Sequence, residues 1–188
     1  LVTAVGLGTV TISAETQDGS GLSASCEITI VNSNIVSGTA GDSNGISWSY
    51  DKTKKELTVT GEDSFSGGSR FTDMVSEFWQ DANSIIANNL IVHGDATGMF
   101  ANFTNVTSID LSGMNTENVT NMNAMFAYCN SLVSVNLSSF NTEKVTDMSS
   151  MFSGCATLTD LDISNFVTSS VTDMESMFYG CNQLYSLN

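Results

Sequence analysis

The chain has 188 residues, enough for one large or two small domains, and 41% of them are hydrophobic, so a sizeable core is possible. Asp and Glu total 20 against 5 Lys and Arg, a formal net charge of −15. That balance argues against nucleic acid and anionic membrane surfaces, both of which reward Lys and Arg. No apolar run is long enough to span a bilayer, and no signal peptide is visible. Leu1 is not a start and Asn188 falls partway through a repeat, so the chain reads as a window from a longer protein.

Residues 1–32 read as β-structure. Val10, Ile12 and Ala14 alternate with Thr9, Thr11 and Ser13. Gln17 to Gly21 supply a turn, and Leu22, Ala24, Cys26, Ile28 and Ile30 alternate on the return. The run from Val2-Thr3-Ala4-Val5 through Gly8-Thr9-Val10-Thr11-Ile12 to Cys26-Glu27-Ile28-Thr29-Ile30 resembles the C-terminal part of a bacterial immunoglobulin-like domain of group 2. The resemblance implies a truncated all-β segment, of a type that serves as a stalk in bacterial surface proteins.

Residues 33–70 read as a linker and a β-hairpin cap. Asn32 to Gly45 is rich in Ser, Gly and Asn, which marks a linker. Ile46, Trp48 and Tyr50 alternate with serines, Asp51 to Lys55 turn the chain, and Leu57 and Val59 return it. The apolar face of this hairpin is expected to cover the first rung of a repeat array C-terminal to it. Gly61 to Arg70 reads as a flexible join. Phe71, Met74, Val75, Phe78 and Trp79 have amphipathic helix spacing. Phe71-Thr72-Asp73-Met74 echoes Val171-Thr172-Asp173-Met174, so 71–98 reads as a degenerate opening repeat with Leu90 and Val92 in its strand. Trp79 is expected in the core or cap rather than at a ligand.

From Met99 onward the chain repeats every 26 residues: Met99-Phe100, Met125-Phe126, Met151-Phe152 and Met177-Phe178. Further columns hold between these anchors, among them Leu111, Leu137 and Ile163, then Val119, Val145 and Val171. A fixed period of this size marks a solenoid whose repeats bury one another's apolar layers. Leu161 and Ile163 share one strand face, with Asp160, Asp162 and Ser164 on the other. Val171, Met174, Met177 and Phe178 suit a short helix, which Thr172 and Glu175 would open as a capping box. Gly154 and Gly180 sit where such a helix would end, a position that often needs positive φ. The expected fold class is therefore an α/β repeat solenoid of leucine-rich-repeat type, 71–188, with parallel strands and short helices, behind the N-terminal hairpin cap.

Leu161-Asp162-Ile163-Ser164-Asn165-Phe166, followed by Val171 to Cys181, resembles the BspA-like leucine-rich repeats, in particular the variant of mycoplasma surface lipoproteins and of gut and oral Firmicutes. Ser37 to Asp42 and Ile46 to Tyr50 look like the hairpin that often precedes such arrays. The resemblance implies a non-catalytic module at the bacterial cell surface, adhesive toward host or extracellular-matrix proteins, with signal and anchor outside this segment. No catalytic residues carry over.

Candidates for chemistry are few. His93 is the one histidine and lacks triad partners, so a structural role is expected. Gly67-Gly68 is a linker pair and no phosphate-binding loop appears. Cys129, Cys155 and Cys181 share a column that points inward, which reads as a ladder of buried thiols, with an inter-rung disulfide as the sharper alternative. No Cys-x-x-Cys pair supports a metal, and no cofactor is implied. Cys26 reads as another core thiol. Asn102, Asn105, Asn118 and Asn136 begin Asn-x-Ser/Thr triplets, which a Ser- and Thr-rich repeat produces by chance.

The candidate binding surface is the outward strand face. Its columns are Ser108, Ser134 and Asp160; Asp110, Asn136 and Asp162; and Ser112, Ser138 and Ser164. Tyr185 stands at the edge of the last strand. A flat ladder does not converge enough oxygens for calcium. Asn121, Asp147 and Asp173 are assigned to the favourable field of the expected helix N-termini. A solvated sheet surface competes with a binding face here. A carbohydrate-binding accessory module of an extracellular enzyme and a structural spacer remain as alternatives to protein binding. No nucleic acid and no membrane insertion are expected in this segment, and the oligomeric state is open.

Overall fold

The computed structural model describes residues 8–15, 23–30, 34–40, 45–65, 71, 78 and 80–188. The chain divides into two compact units, Leu1–Ile35 and Val36–Asn188. In the first, β1 (Gly8–Glu15) pairs antiparallel with β2 (Ser23–Ile30), from Gly8 opposite Ile30 to Glu15 opposite Ser23. The turn expected at Gln17 to Gly21, and the side-chain environment expected for Cys26, lie outside the described residues.

The second unit is built on β3 (Ile35–Ala40), β4 (Ile46–Asp51), β5 (Glu56–Phe65), β6 (Ser84–Asp95), β7 (Ser108–Asp110), β8 (Met114–Asn121), β9 (Ser134–Asn136), β10 (Asp160–Leu161) and β11 (Ser186–Leu187). One sheet runs β3-β4-β5-β6-β7-β9, with β8 also on β6, and β10-β11 form a separate pair. β4 and β5 are antiparallel, while β5-β6, β6-β7, β6-β8, β7-β9 and β10-β11 are parallel. Alternation explains the hairpin: Ile46, Tyr50, Leu57 and Val59 are buried and join the solenoid core. Asp51 closes its turn by accepting the Thr53 and Lys54 amides at 2.9 and 3.1 Å. The Tyr50 hydroxyl and the Lys55 ammonium then donate to the two oxygens of Asp81, at 2.9 and 2.7 Å.

Two expected linkers are partly strand. Ile35–Ala40 forms β3 inside the Asn32 to Gly45 stretch, and β5 continues through Gly61 to Phe65. The second extension is possible because Gly61, at φ +116°, absorbs a register shift against β6. Of the amphipathic helix expected from Phe71 to Trp79, only Phe71 and Phe78 are described; Phe71 has helical backbone and Phe78 lies in a turn.

The repeat array is a β-solenoid, and the short helices expected in each 26-residue unit are not there. Residues 98–103, 124–129, 150–155 and 176–181 form arcs of successive turns instead. The reason lies in where the amide N–H groups go. In a helix each would reach the carbonyl four residues back. Here alternate amides leave the coil: Ala124 N–H donates to Ser149 O (2.9 Å), Phe126 to Met151 O (2.9 Å) and Tyr128 to Ser153 O (2.7 Å). The intervening amides close turns three residues back, as Met125 to Met122, Ala127 to Ala124 and Cys129 to Phe126. The same alternation recurs one coil earlier and one coil later. In the first three arcs the donor belongs to the earlier coil and the acceptor to the later one.

Two left-handed residues per arc interrupt any helix: Gly98 and Asn102, Ala124 and Tyr128, Ser150 and Gly154, Ser176 and Gly180. The positive φ expected at Gly154 and Gly180 is thus observed, while the helix it was expected to end is absent. The capping-box reading fails for the same reason. The Thr172 hydroxyl donates sideways to Thr146 O at 3.0 Å, and the Glu175 amide goes to Asp173 Oδ1 at 2.8 Å. Asn121, Asp147 and Asp173 therefore serve no helix terminus. Each accepts the amide two residues on, at 2.8 Å, and closes the turn into its arc.

Inside the coils the apolar columns stack. Phe71, Phe100, Phe126, Phe152 and Phe178 form a continuous ring stack with centroid spacings of 5.4, 5.8, 5.2 and 5.9 Å. Leu111 and Leu137 lie side by side just after their strands and are buried; Ile163 follows in the same column, half-buried. Polar atoms inside are paired between coils. Thr142 is fully buried; its hydroxyl donates to Val167 O (3.0 Å) and accepts the Val167 amide (2.7 Å). Thr142→Val keeps the shape and orphans both Val167 groups, so it should cost about 1–3 kcal/mol in urea denaturation, with Thr142→Ser losing less.

The thiol column is a ladder of free cysteines. Cys129, Cys155 and Cys181 donate to the carbonyls of Phe100, Phe126 and Phe152 at 3.1, 3.3 and 3.1 Å. Burial pushes all three thiols up, Cys129 to about 12. The folded chain therefore holds these protons when the unfolded chain has released them. Stability should fall as pH rises from about 8.5, the ordinary thiol value, toward 12, by up to about 1.4 kcal/mol per pH unit for a buried thiol. Urea midpoints across that range check this, and Cys129→Ala should flatten the slope.

Candidate ligand-binding face

The candidate residues sit where strand alternation puts them. Ser108 pairs with Ser134 and Asp110 with Asn136 across β7 and β9; Asp160 pairs with Ser186 across β10 and β11. Asp110, Ser112, Ser134, Asn136, Ser138, Asp160, Asp162 and Ser164 are exposed, and Ser108 is half-buried. Tyr185 is 79% exposed, and its hydroxyl donates to Asp160 Oδ2 at 3.1 Å.

Part of this polarity has a structural use that the alternation alone does not reveal. Asp110, Asn136 and Asp162 each accept the amide two residues on, at 3.0, 3.2 and 3.0 Å, and so close the turn after each strand. The Ser112 amide, ahead of its hydroxyl, holds the Asp110 carboxyl below the usual carboxylate range. At Asp162 the Ser164 hydroxyl does the same, with its amide second. Both carboxylates thus stay charged at neutral pH, each with one oxygen committed to its turn.

The face is not a continuous ladder. β9 and β10 do not pair. In the flanking coils Leu111 N–H donates to Asn136 O (3.1 Å) and Ile163 N–H to Asn188 O (2.9 Å). The corresponding Leu137 amide has no such bond to Asp162 O. Between the end of β9 and the turn that follows β10 a depression of about 300 Å³ opens, lined by Val135, Asn136, Leu137, Ser138, Asp162, Ser164 and Asn165. It gathers Asn136, Ser138, Asp162 and Ser164 and leaves Ser108, Asp110, Ser112, Ser134, Asp160 and Tyr185 outside.

Asn165 is the residue that the strand pattern passed over. Its amide nitrogen donates to the carbonyls of Leu137 (3.1 Å) and Phe140 (2.9 Å). One coil earlier, Ser139 Oγ makes the equivalent bonds to Leu111 O (2.8 Å) and Met114 O (2.6 Å). The column thus reads Gly113, Ser139, Asn165, and the amide takes over the serine's bridging bonds at the coil where β9 and β10 do not pair.

Among the described residues no group of three His, Cys, Asp or Glu side chains is placed to hold a metal ion. None of their helices is long and apolar enough to cross a membrane. His93 Nε2 lies 3.0 Å from Glu62 Oε1, far in sequence from this face.

Stacked 26-residue coils with a polar strand face define a repeat solenoid protein. The chain belongs to the family described as "Mycoplasma protein of unknown function, DUF285", whose model matches residues 94–187. No curated protein and no solved structure matches the chain.

Proposed function

We propose that this is a non-catalytic module of a bacterial cell-surface protein, of BspA-like type, that binds a protein partner through the outward strand face of its solenoid. The observation that supports it best is the depression beside β9, a concavity with two amides, a carboxylate and two hydroxyls on this polar face. Membership in a mycoplasma repeat family agrees with surface display. The partner class is host or extracellular-matrix protein. The immunoglobulin-like segment would act as a stalk. The test is an immobilised panel of matrix proteins probed with the folded chain. Saturable binding that falls when Asn136, Asp162 and Ser164 are replaced together supports the reading; no binding to any, by folded protein, defeats it.

A carbohydrate reading draws on Tyr185, the exposed aromatic on this face. Glycan-array binding lost in Tyr185→Ala would favour it over the protein reading. Unchanged binding by the longer surface protein after deletion of 94–188 would favour a spacer.

A further inference from the structure

We propose that the slot between the end of β9 and the turn after β10 is a receptor for an arginine side chain of a partner protein. The inference rests on the protein-binding reading of the same face and names the group it takes.

The first observation is the break itself. Parallel neighbours in this array bond through their backbones, and among the described strands only this pair forgoes those bonds. The groups left over include the Leu137 amide and the Asp162 carbonyl, at the lip of a depression open to solvent. Of the two, the Asp162 carbonyl is the acceptor, the group that a donor-only side chain can complete.

The second is chemistry. Asp162 accepts the Ser164 amide on Oδ1, and no backbone amide is bonded to Oδ2. Asn136 commits Oδ1 to the Ser138 amide. The Asn165 amide nitrogen is committed to Leu137 O and Phe140 O. The Asn136 amide nitrogen is drawn to the Asp110 carboxylate, and beside the Leu137 amide the acceptors that remain are a carboxylate oxygen, two hydroxyls and the Asp162 carbonyl. A cationic donor suits this set, and neutral acceptors do not.

The third is shape. Val135 is partly buried here, whereas its neighbours in the same column, Ile109 and Leu161, are each 2% exposed. It gives an apolar floor for a methylene stem. A guanidinium is a planar fork that donates in several directions at once, whereas a lysine ammonium offers three donors from a single point. Long-range attraction points the same way, because between 94 and 188 Lys144 stands alone among nine acidic side chains.

Asn165 sets the slot's width, so Asn165→Ser, which copies Ser139 one coil earlier, should let β9 and β10 pair and close it. The test is an amide NMR titration of the folded chain with Nα-acetylarginine amide, alongside its neutral citrulline analogue. The expected result is saturable shifts at Asn136, Leu137, Asp162 and Asn165 with arginine and none with citrulline. Asp162→Asn should weaken binding about tenfold or more, Asp110→Asn should leave it unchanged, and Asn165→Ser should abolish it with the melting transition retained. Were Asn165→Ser to unfold the chain, Asp162→Asn against Asp110→Asn would decide alone. Shifts spread evenly over Asp110, Asp147 and Asp162, equal response to citrulline, or no response would overturn the slot. If the slot stays silent while matrix proteins still bind, the slot is refuted and the protein-binding reading stands.

Discussion

Phe126→Ala should destabilise the chain by about 3–5 kcal/mol, a large part of the roughly 5–15 kcal/mol that holds a domain of this kind together. Phe126 is fully buried, with Phe100 at 5.8 Å on one side and Phe152 at 5.2 Å on the other. Removing the ring forfeits its burial, empties a cavity that two rigid coils cannot easily collapse into, and severs the stack at its middle. Phe178→Ala is the comparison: that ring is partly buried and stacks on Phe152 alone at 5.9 Å, so its loss should be the smaller. Urea denaturation of both variants gives the ordering. Equal losses would mean that the coils do not depend on stacking for their stability.

The second large effect is expected at Gly61→Ala. Gly61 has φ +116°, and a Cβ there would strike the backbone carbonyl oxygen of Gly45. The conformation alone costs an alanine about 1–3 kcal/mol, and backbone cannot yield as a side-chain tip can, so overpacking adds about another 1–3 kcal/mol. The damage should be local. Hydrogen exchange is expected to quicken at β4 and β5 while the amides of Phe126 and Tyr128 keep their protection. A variant as stable as the parent would mean that the Val59–Gly61 irregularity is not the bend that carries β5 along β6.

How much of this was legible beforehand differs by level. The repeat and its register were plain, because a side chain and its equivalent one coil on must meet: Met99, Met125, Met151 and Met177 had to stack once the chain coiled. The hairpin could be read from Ile46, Trp48 and Tyr50. The arc could not. Val171, Met174, Met177 and Phe178 have spacings that fit a helix as well as they fit an arc. What separates the two is the backbone at Ala124, Ser150 and Ser176, all left-handed. Neither alanine nor serine announces positive φ, so only Gly98 in that column carried a hint. On the candidate face, alternation correctly put Asp110, Asn136 and Asp162 outward. Their capture of the amides two residues on depends on the turn each strand enters. Where β9 and β10 do not pair, Asn165 takes the bridging place that Ser139 holds one coil earlier and Gly113 leaves empty. Tertiary spacing of that kind leaves no periodic trace.

The sideways amides of the arcs all face the same way along the array, which makes the solenoid a one-way stack. Nick it between two coils and, along the arcs, the pieces carry unlike ends: N–H groups on the earlier piece and oxygens on the later, while at Thr107, Val133, Thr146 and Thr172 the amides run the other way. Such pieces fit back together in a single sense, head to tail, and two copies of the same piece meet like against like. A split version of this chain should therefore reassemble from complementary fragments while neither fragment pairs with itself through the cut.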